Sequence, residues 1–268
     1  MTVNPIPTRL SSLTLEDLSQ TEGMPAILPI GSTEQHGPCL PYCTDATIAE
    51  GLALRLAAVL PAVVYPTIQY GYRSNPKSGG GALFPGTIDL SGSTVIALVR
   101  DVLLELIADG RRNILIVNAH FENDPFITEG MCLAMEAAGS GANVQCIQTN
   151  WWDGLTPETI NACFDASDFP GWALEHGGVT ETSLMLALAP ELVRTERIPS
   201  SGLEFVPPAY LRFPLKKGDV PIEGNLSPAV GSTAEKGELI LKDAVESIYR
   251  ACEKEFDAAW PFAIAMHN

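Results

Sequence analysis

The chain has 268 residues, with 32 acidic against 16 basic side chains and a formal net charge of −16 at neutral pH. Such a charge repels nucleic acid and anionic membrane surfaces, so neither is an expected partner. Hydrophobic residues make up 46% of the chain, enough for a large buried core, and a single domain over 1–268 is expected. No apolar stretch approaches the roughly 20 residues of a membrane span. The opening MTVNPIPTRL lacks the basic patch and apolar run of a secretory signal, which predicts a cytoplasmic protein. Six cysteines (39, 43, 132, 146, 163, 252) form no CxxC pair and no dense framework, so reduced thiols are expected.

Apolar runs of strand length alternate with helical patterns along the chain. AILPIG (26–31) reads as a buried strand, and 45–60 as a helix with Ile48, Leu52, Leu56 and Val59 on one face. The next strand is expected over 62–68, then a helix over 93–110 closed by Gly110. A strand at 113–119, a helix around 125–138 and a strand at 143–149 follow, with helices at 178–189 and about 234–256. Continuous apolar strands separated by helices predict an α/β fold whose mostly parallel sheet is covered on both faces. Ligands of such sheets gather beyond the carboxyl ends of the strands.

Two motifs fall at those ends. GSTEQHGPCLPYCTD (31–45) follows the first strand and NAHFEN (118–123) follows the strand at 113–119. Glu34 and His36 are spaced i, i+2, as are His120 and Glu122, and in an extended segment each pair turns to one side. Asp45 stands at the mouth of the following helix, placed to bridge. Two imidazoles and three carboxylates suit zinc or manganese and exceed what one four-coordinate zinc needs, so a dinuclear centre fits the count. Isolated Glu and Asp are usually caps and surface charges. Two mirrored pairs at one sheet edge reverse that default.

Of four histidines, His36, His120 and His176 lie beside or two residues from a glutamate, whereas His267 reads as a tail residue. His176, in GWALEHGGVTETS (171–183), is either a helix-entry residue satisfied by backbone or a general acid/base. Glu175 and Glu181 flank it and could orient it or the metal shell. KSGGGALFPGT (77–87) lacks the GxxxxGK[ST] order and reads as a flexible loop near the pocket. Trp151, Trp152 and Trp172 are core residues by default, or else walls for a planar ligand. Cys39 and Cys43, between the candidate ligands, are possible metal-reactive thiols.

LPIGSTEQHG…TD, YGYRSNPKSGGG…FPGT, NAHFEN, GWALEHGGVTETSLMLAL and EKGELIL together resemble the creatininase (creatinine amidohydrolase) family, over about 24–256. The resemblance implies a Rossmann-like three-layer sandwich, a two-metal centre of zinc and manganese type, and a homohexamer. Residue by residue, it implies that Glu34 and His120 bind one ion, His36 and Glu122 the other, and Asp45 bridges them. The implied catalytic group is His176 with Glu175 and Glu122, and the implied substrate contacts are Ser78, Phe121, Trp152 and Trp172. The implied reaction opens a small cyclic amide such as creatinine: a metal-bridging hydroxide attacks, and His176 protonates the leaving nitrogen. The alternative keeps the site but opens a cyclic inositol-derived ketone by C–C cleavage. A non-catalytic metal-binding scaffold would lack a ligand or the proton donor, and this chain lacks neither. Three positions depart from the family pattern: Cys39 replaces a common histidine, Ala119 a glycine and Phe121 a tyrosine. The changes at 119 and 121 bear on substrate choice.

Overall fold

Five residues without a charge, Ala26–Ile30, form strand β1, and every one is buried. The computed structural model describes residues 9–164, 169–198 and 205–256. Helix α1 (Leu15–Ser19) precedes β1, and α2 (Thr44–Ala57), β2 (Val63–Val64), α3 (Gly92–Ala108) and β3 (Asn113–Asn118) follow it. Then come α4 (Asp124–Ala138), β4 (Gln145–Asn150), α5 (Pro157–Phe164), α6 (Val179–Leu188) and α7 (Ala234–Glu255). The four strands are parallel in the order β2-β1-β3-β4. Ile27 stands opposite both Val64 and Leu115, and Val117 opposite Thr149.

Strand alternation sorts the apolar residues into two cores. Ile27, Leu115 and Val117 face one side, where they meet Ile48, Leu52 and Leu56 of α2 together with Leu184 of α6 and Ile240 and Leu241 of α7. Leu28, Ile30, Ile114 and Ile116 face the other, against Val95, Val99 and Leu103 of α3 and Ile127 and Ala134 of α4. The result is the three-layer arrangement expected from the alternating pattern. The sheet is buried on both faces.

The expected strand 62–68 is shorter than its apolar pattern. Tyr65 N–H still bonds Ile27 O and Ile68 N–H bonds Pro29 O, but Pro66 between them has no N–H to give. The helix expected over 45–60 stops at Ala57. Helices α1 and α5 are not among the elements expected from sequence; both are short, and one turn or two of helix leaves little periodicity to detect. Among the described residues no helix is long and apolar enough to cross a membrane. His267 lies outside the described residues.

Gly31 sets how closely α2 approaches β1. A Cβ there would lie 2.4 Å from Ala46 N and 2.6 Å from Asp45 C, both backbone atoms that cannot swing aside. The first turn of α2, with Asp45 in it, therefore sits directly on the strand end. Gly31→Ala should cost about 1–3 kcal/mol by overpacking and should lower metal content with it. Gly141, around which a Cβ meets nothing within 4 Å, is the control. Gly141→Ala should leave the denaturation midpoint and metal content unchanged, as urea unfolding and metal analysis will show.

Candidate metal centre

The ends of β1 and β3, neighbours in the sheet, deliver the two motifs to one place. Glu34 and His36 lie in the loop after β1, and Asp45 in the first turn of α2. His120 follows β3, and Glu122 occupies the single 3₁₀ turn Phe121–Asn123. From the far side, α6 contributes Glu181 in its first turn, and the loop before it His176. All seven side chains are buried.

His120 Nδ1 is 2.9 Å from Glu34 Oε1 and 3.2 Å from Asp45 Oδ2. His36 Nε2 is 2.8 Å from Asp45 Oδ1 and 3.8 Å from Glu181 Oε2. Asp45 thus presents one oxygen to each imidazole. His176 Nδ1 stands 3.9 Å from Glu34 Oε1, and its ring stacks on His36 with centroids 4.4 Å apart. Among the described residues, three sets of side chains bring donor atoms within 4.8 Å of one another: Glu34, Asp45 and His120; His36, Asp45 and Glu181; Glu34, His36 and His176.

The far nitrogen of each inward histidine is taken by backbone. His120 Nε2 lies 2.7 Å from Tyr72 O, and His36 Nδ1 3.2 Å from Glu34 O. A carbonyl accepts only, so these nitrogens are N–H donors, and the opposite nitrogens face the carboxylates, each able to carry a second proton or, without it, to offer a lone pair. An asparagine pair sets the pose of His120. Asn118 Oδ1 accepts the backbone N–H of His120, and Asn123 Oδ1 accepts the backbone N–H of Tyr72.

Lone pairs facing carboxylates need a positive charge between them. Burial alone would pull His36 down, yet Asp45, Glu181 and Glu34 outweigh it and raise it to about 10. His120 is raised well above its ordinary value, against burial, by Glu34 and Asp45. Burial pushes Glu122 up to about 7 and Glu181 to about 8, with the charges of Glu34 and Asp45 respectively adding to it. His176 goes the other way: burial and the neighbouring His36 lower it to about 4, so it is neutral near pH 7. Glu34 Oε2, His36 Nε2, Asp45 Oδ2 and Glu122 Oε2 are buried without a hydrogen-bond partner. Glu34, Asp45 and Glu181 with the two imidazoles, once these shed their second protons, form a donor set that fits divalent cations.

Glu122 and Glu181 differ from their expected places. Glu122 faces the outer nitrogen of His120 at 3.5 Å and accepts from Asn75 N at 3.0 Å and Ser78 Oγ at 2.5 Å. Glu181, read from sequence only as an orienting group, is the carboxylate grouped with His36 and Asp45. Its neighbours in TETS carry no ligand spacing, and its burial is a product of tertiary packing. Glu175 faces the pocket but spends both oxygens elsewhere. They accept from Val179 N at 3.1 Å, Thr180 N at 2.9 Å, Ser227 Oγ at 2.8 Å and the Thr180 hydroxyl. Gly178 at the N-cap has no side chain to cap α6, and Glu175 does so instead.

A narrow pocket opens over the cluster. Ser78, Ala119, Phe121, Trp151, Trp152 and Trp172 line it. Phe121 stacks on Trp152 at 5.9 Å, and Trp151 meets Trp152 and Trp172 edge-on. The glycine loop is a compact turn rather than a loose one: Asn75 O accepts the N–H groups of Ser78, Gly79 and Gly80. Cys39 is buried in the apolar core and Cys43 is exposed before α2; neither joins a donor set, so the metal-reactive reading of these thiols does not hold. All six cysteines are unpaired.

The family model Creatininase, described as creatinine amidohydrolase, matches residues 9–252. A creatinine amidohydrolase of Pseudomonas putida is 40% identical over 86% of this chain and 89% of its own length. A mycofactocin precursor peptide peptidase of Mycobacterium tuberculosis is 31% identical over 92% of this chain and 91% of its own. Among solved structures, a mutant creatininase complexed with creatine superposes with a TM-score of 0.88 at 37% identity, covering 93% of this chain and 98% of that one. Solved creatininases include a manganese form and a zinc–zinc form.

The bonding of Glu175 predicts a structural phenotype. Glu175→Ala strands two N–H groups at the start of α6 and should cost about 2–3 kcal/mol in denaturant unfolding. Glu175→Gln, which keeps one acceptor oxygen, should lose clearly less.

Proposed function

This chain belongs to the creatininase (creatinine amidohydrolase) family, and we propose that it is a two-metal hydrolase that opens a small cyclic amide. The observation that carries the reading is Asp45, whose two oxygens face His120 and His36 from one buried carboxylate. Glu34, Asp45 and His120 would hold one zinc or manganese ion. His36 and Asp45 would hold the other, with Glu181 completing the shell on that side, while Glu122 would stand behind His120 at its outer nitrogen. Four carboxylates carry a charge that two divalent cations balance. When bound, such a pair lowers the pKa of a water and polarises a carbonyl oxygen.

The chain's own residues do the rest. Phe121, Trp152 and Trp172 give flat apolar walls to a planar ring. Ser78, hydrogen-bonded to Glu122, lies at the pocket edge beside the ligands. His176, neutral and with Nδ1 turned toward Glu34, is placed to relay a proton at that nitrogen: it protonates the departing ring nitrogen as the C–N bond breaks, and it takes up in exchange the proton lost by the water whose oxygen joins the carbonyl carbon. Glu175 holds the helix that His176 precedes. Creatinine is the first substrate to test, because the 40% identical relative is a creatinine amidohydrolase. Phe121 presents no hydroxyl where the family has tyrosine, so recognition here leans on stacking. Exposed Val206, Tyr210, Leu211, Phe213 and Ile222 suit the homo-oligomeric assembly that the family implies.

Protein loaded with zinc or manganese should contain about two equivalents per chain and turn over creatinine in a panel with dihydropyrimidines, formamides, short peptides and an oxidised inositol. Turnover of the inositol ketone alone would move the reaction to C–C cleavage, and turnover of peptides alone to peptide hydrolysis. His176→Ala should keep both metals and the fold while turnover falls by about 10²–10⁴-fold. Release of metal by that variant would make His176 a ligand instead.

A further inference from the structure

We propose that Gln35 is a positioning residue for this reaction, fixing which nitrogen of His176 carries the proton while tying the Ser78 turn to the site. The inference rests on the proton-donor role given to His176 above. Gln35 lies between Glu34 and His36 in sequence and is buried. Its Oε1 accepts the N–H of Gly37 at 2.9 Å. Its Nε2 reaches Gly79 O at 3.1 Å, Gly224 O at 3.0 Å and His176 Nε2 at 3.1 Å.

The carboxamide can stand only one way round. Exchanging its oxygen and nitrogen would set the oxygen against two carbonyls and the NH₂ against an N–H. An amide NH₂ offers no lone pair to a donor. His176 Nε2 must therefore meet it with a lone pair, and the imidazole proton stays on Nδ1, the nitrogen 3.9 Å from Glu34 Oε1. The other tautomer would press N–H against N–H. The NH₂ has two hydrogens for three acceptors, so one hydrogen is shared, and through them one side chain joins the acid, the Ser78 turn at Gly79 and the segment at Gly224. That third contact is tight. Gly224 has φ +94°, and a Cβ on it would come 1.9 Å from Gln35 Oε1.

Gln35→Glu replaces the donating NH₂ by an accepting oxygen and should draw the His176 proton to Nε2. Solid-state ¹⁵N spectra of zinc-loaded, histidine-labelled protein read this directly, with His176 assigned by its loss in His176→Ala. The wild type should show a protonated-type Nδ1 and a lone-pair-type Nε2, and Gln35→Glu the reverse at unchanged metal content. Its kcat should fall about 10- to 100-fold with little change in KM. A wild type protonated at Nε2, a metal-bound Nδ1, or a variant with the wild-type pattern would each overturn the inference. If Gln35→Glu does not fold, Gln35→Met is read the same way: mixed tautomers support the inference and an unchanged pattern overturns it. The spectra need no substrate, so a wild type inactive across the panel would contradict the proposed reaction and leave this test standing.

Discussion

Four buried carboxylates, Glu34, Asp45, Glu122 and Glu181, converge on two imidazoles whose outer nitrogens are already bonded to backbone carbonyls. An uncompensated charge in such a place costs several kcal/mol even after relaxation. Protons on His36 and His120 can supply part of the compensation, which is why both are raised against the pull of burial. Divalent cations would supply more, and they would do so through lone pairs that the backbone has already aimed inward. The surrounding parts, from the asparagines behind His120 to the amide of Gln35, hold donors in place for that charge.

The sheet makes the convergence possible. β1 and β3 are adjacent and parallel, so their carboxyl ends release the Glu34–His36 loop and the His120–Glu122 turn side by side. The close seat of α2 at Gly31 brings Asp45 between them. α6, packed on α7 and α2 across one core, adds Glu181 and anchors the approach of His176 through Glu175. Stability and chemistry meet in these contacts. The α6 entry is held by a carboxylate that also lines the pocket.

How much of this was legible in the chain depended on range. The parallel sheet followed from uninterrupted runs such as NILIVN alternating with helical faces such as Ile48, Leu52 and Leu56. The pairs Glu34/His36 and His120/Glu122 were visible because their spacing is local, although neither segment forms a regular strand: the first is loop and the second a 3₁₀ turn. What local spacing could not show is which carboxylate faces which imidazole. Glu122 turns toward His120, and Glu181, 145 residues beyond His36 in the chain, comes to the side of His36 through helix packing. Gln35 was hidden for the same reason: its partners at Gly79, His176 and Gly224 are 44, 141 and 189 residues away. Glu175 drew attention as a neighbour of His176, yet its bonds are those of a helix cap.

Anomalous diffraction from crystals of the metal-loaded protein, collected at the zinc and manganese edges, tests the central claim most directly. The account predicts two peaks about 3.5–4 Å apart, one beside His120 and one beside His36, with Asp45 between them. A single peak, or two peaks neither of which touches Asp45, would contradict it.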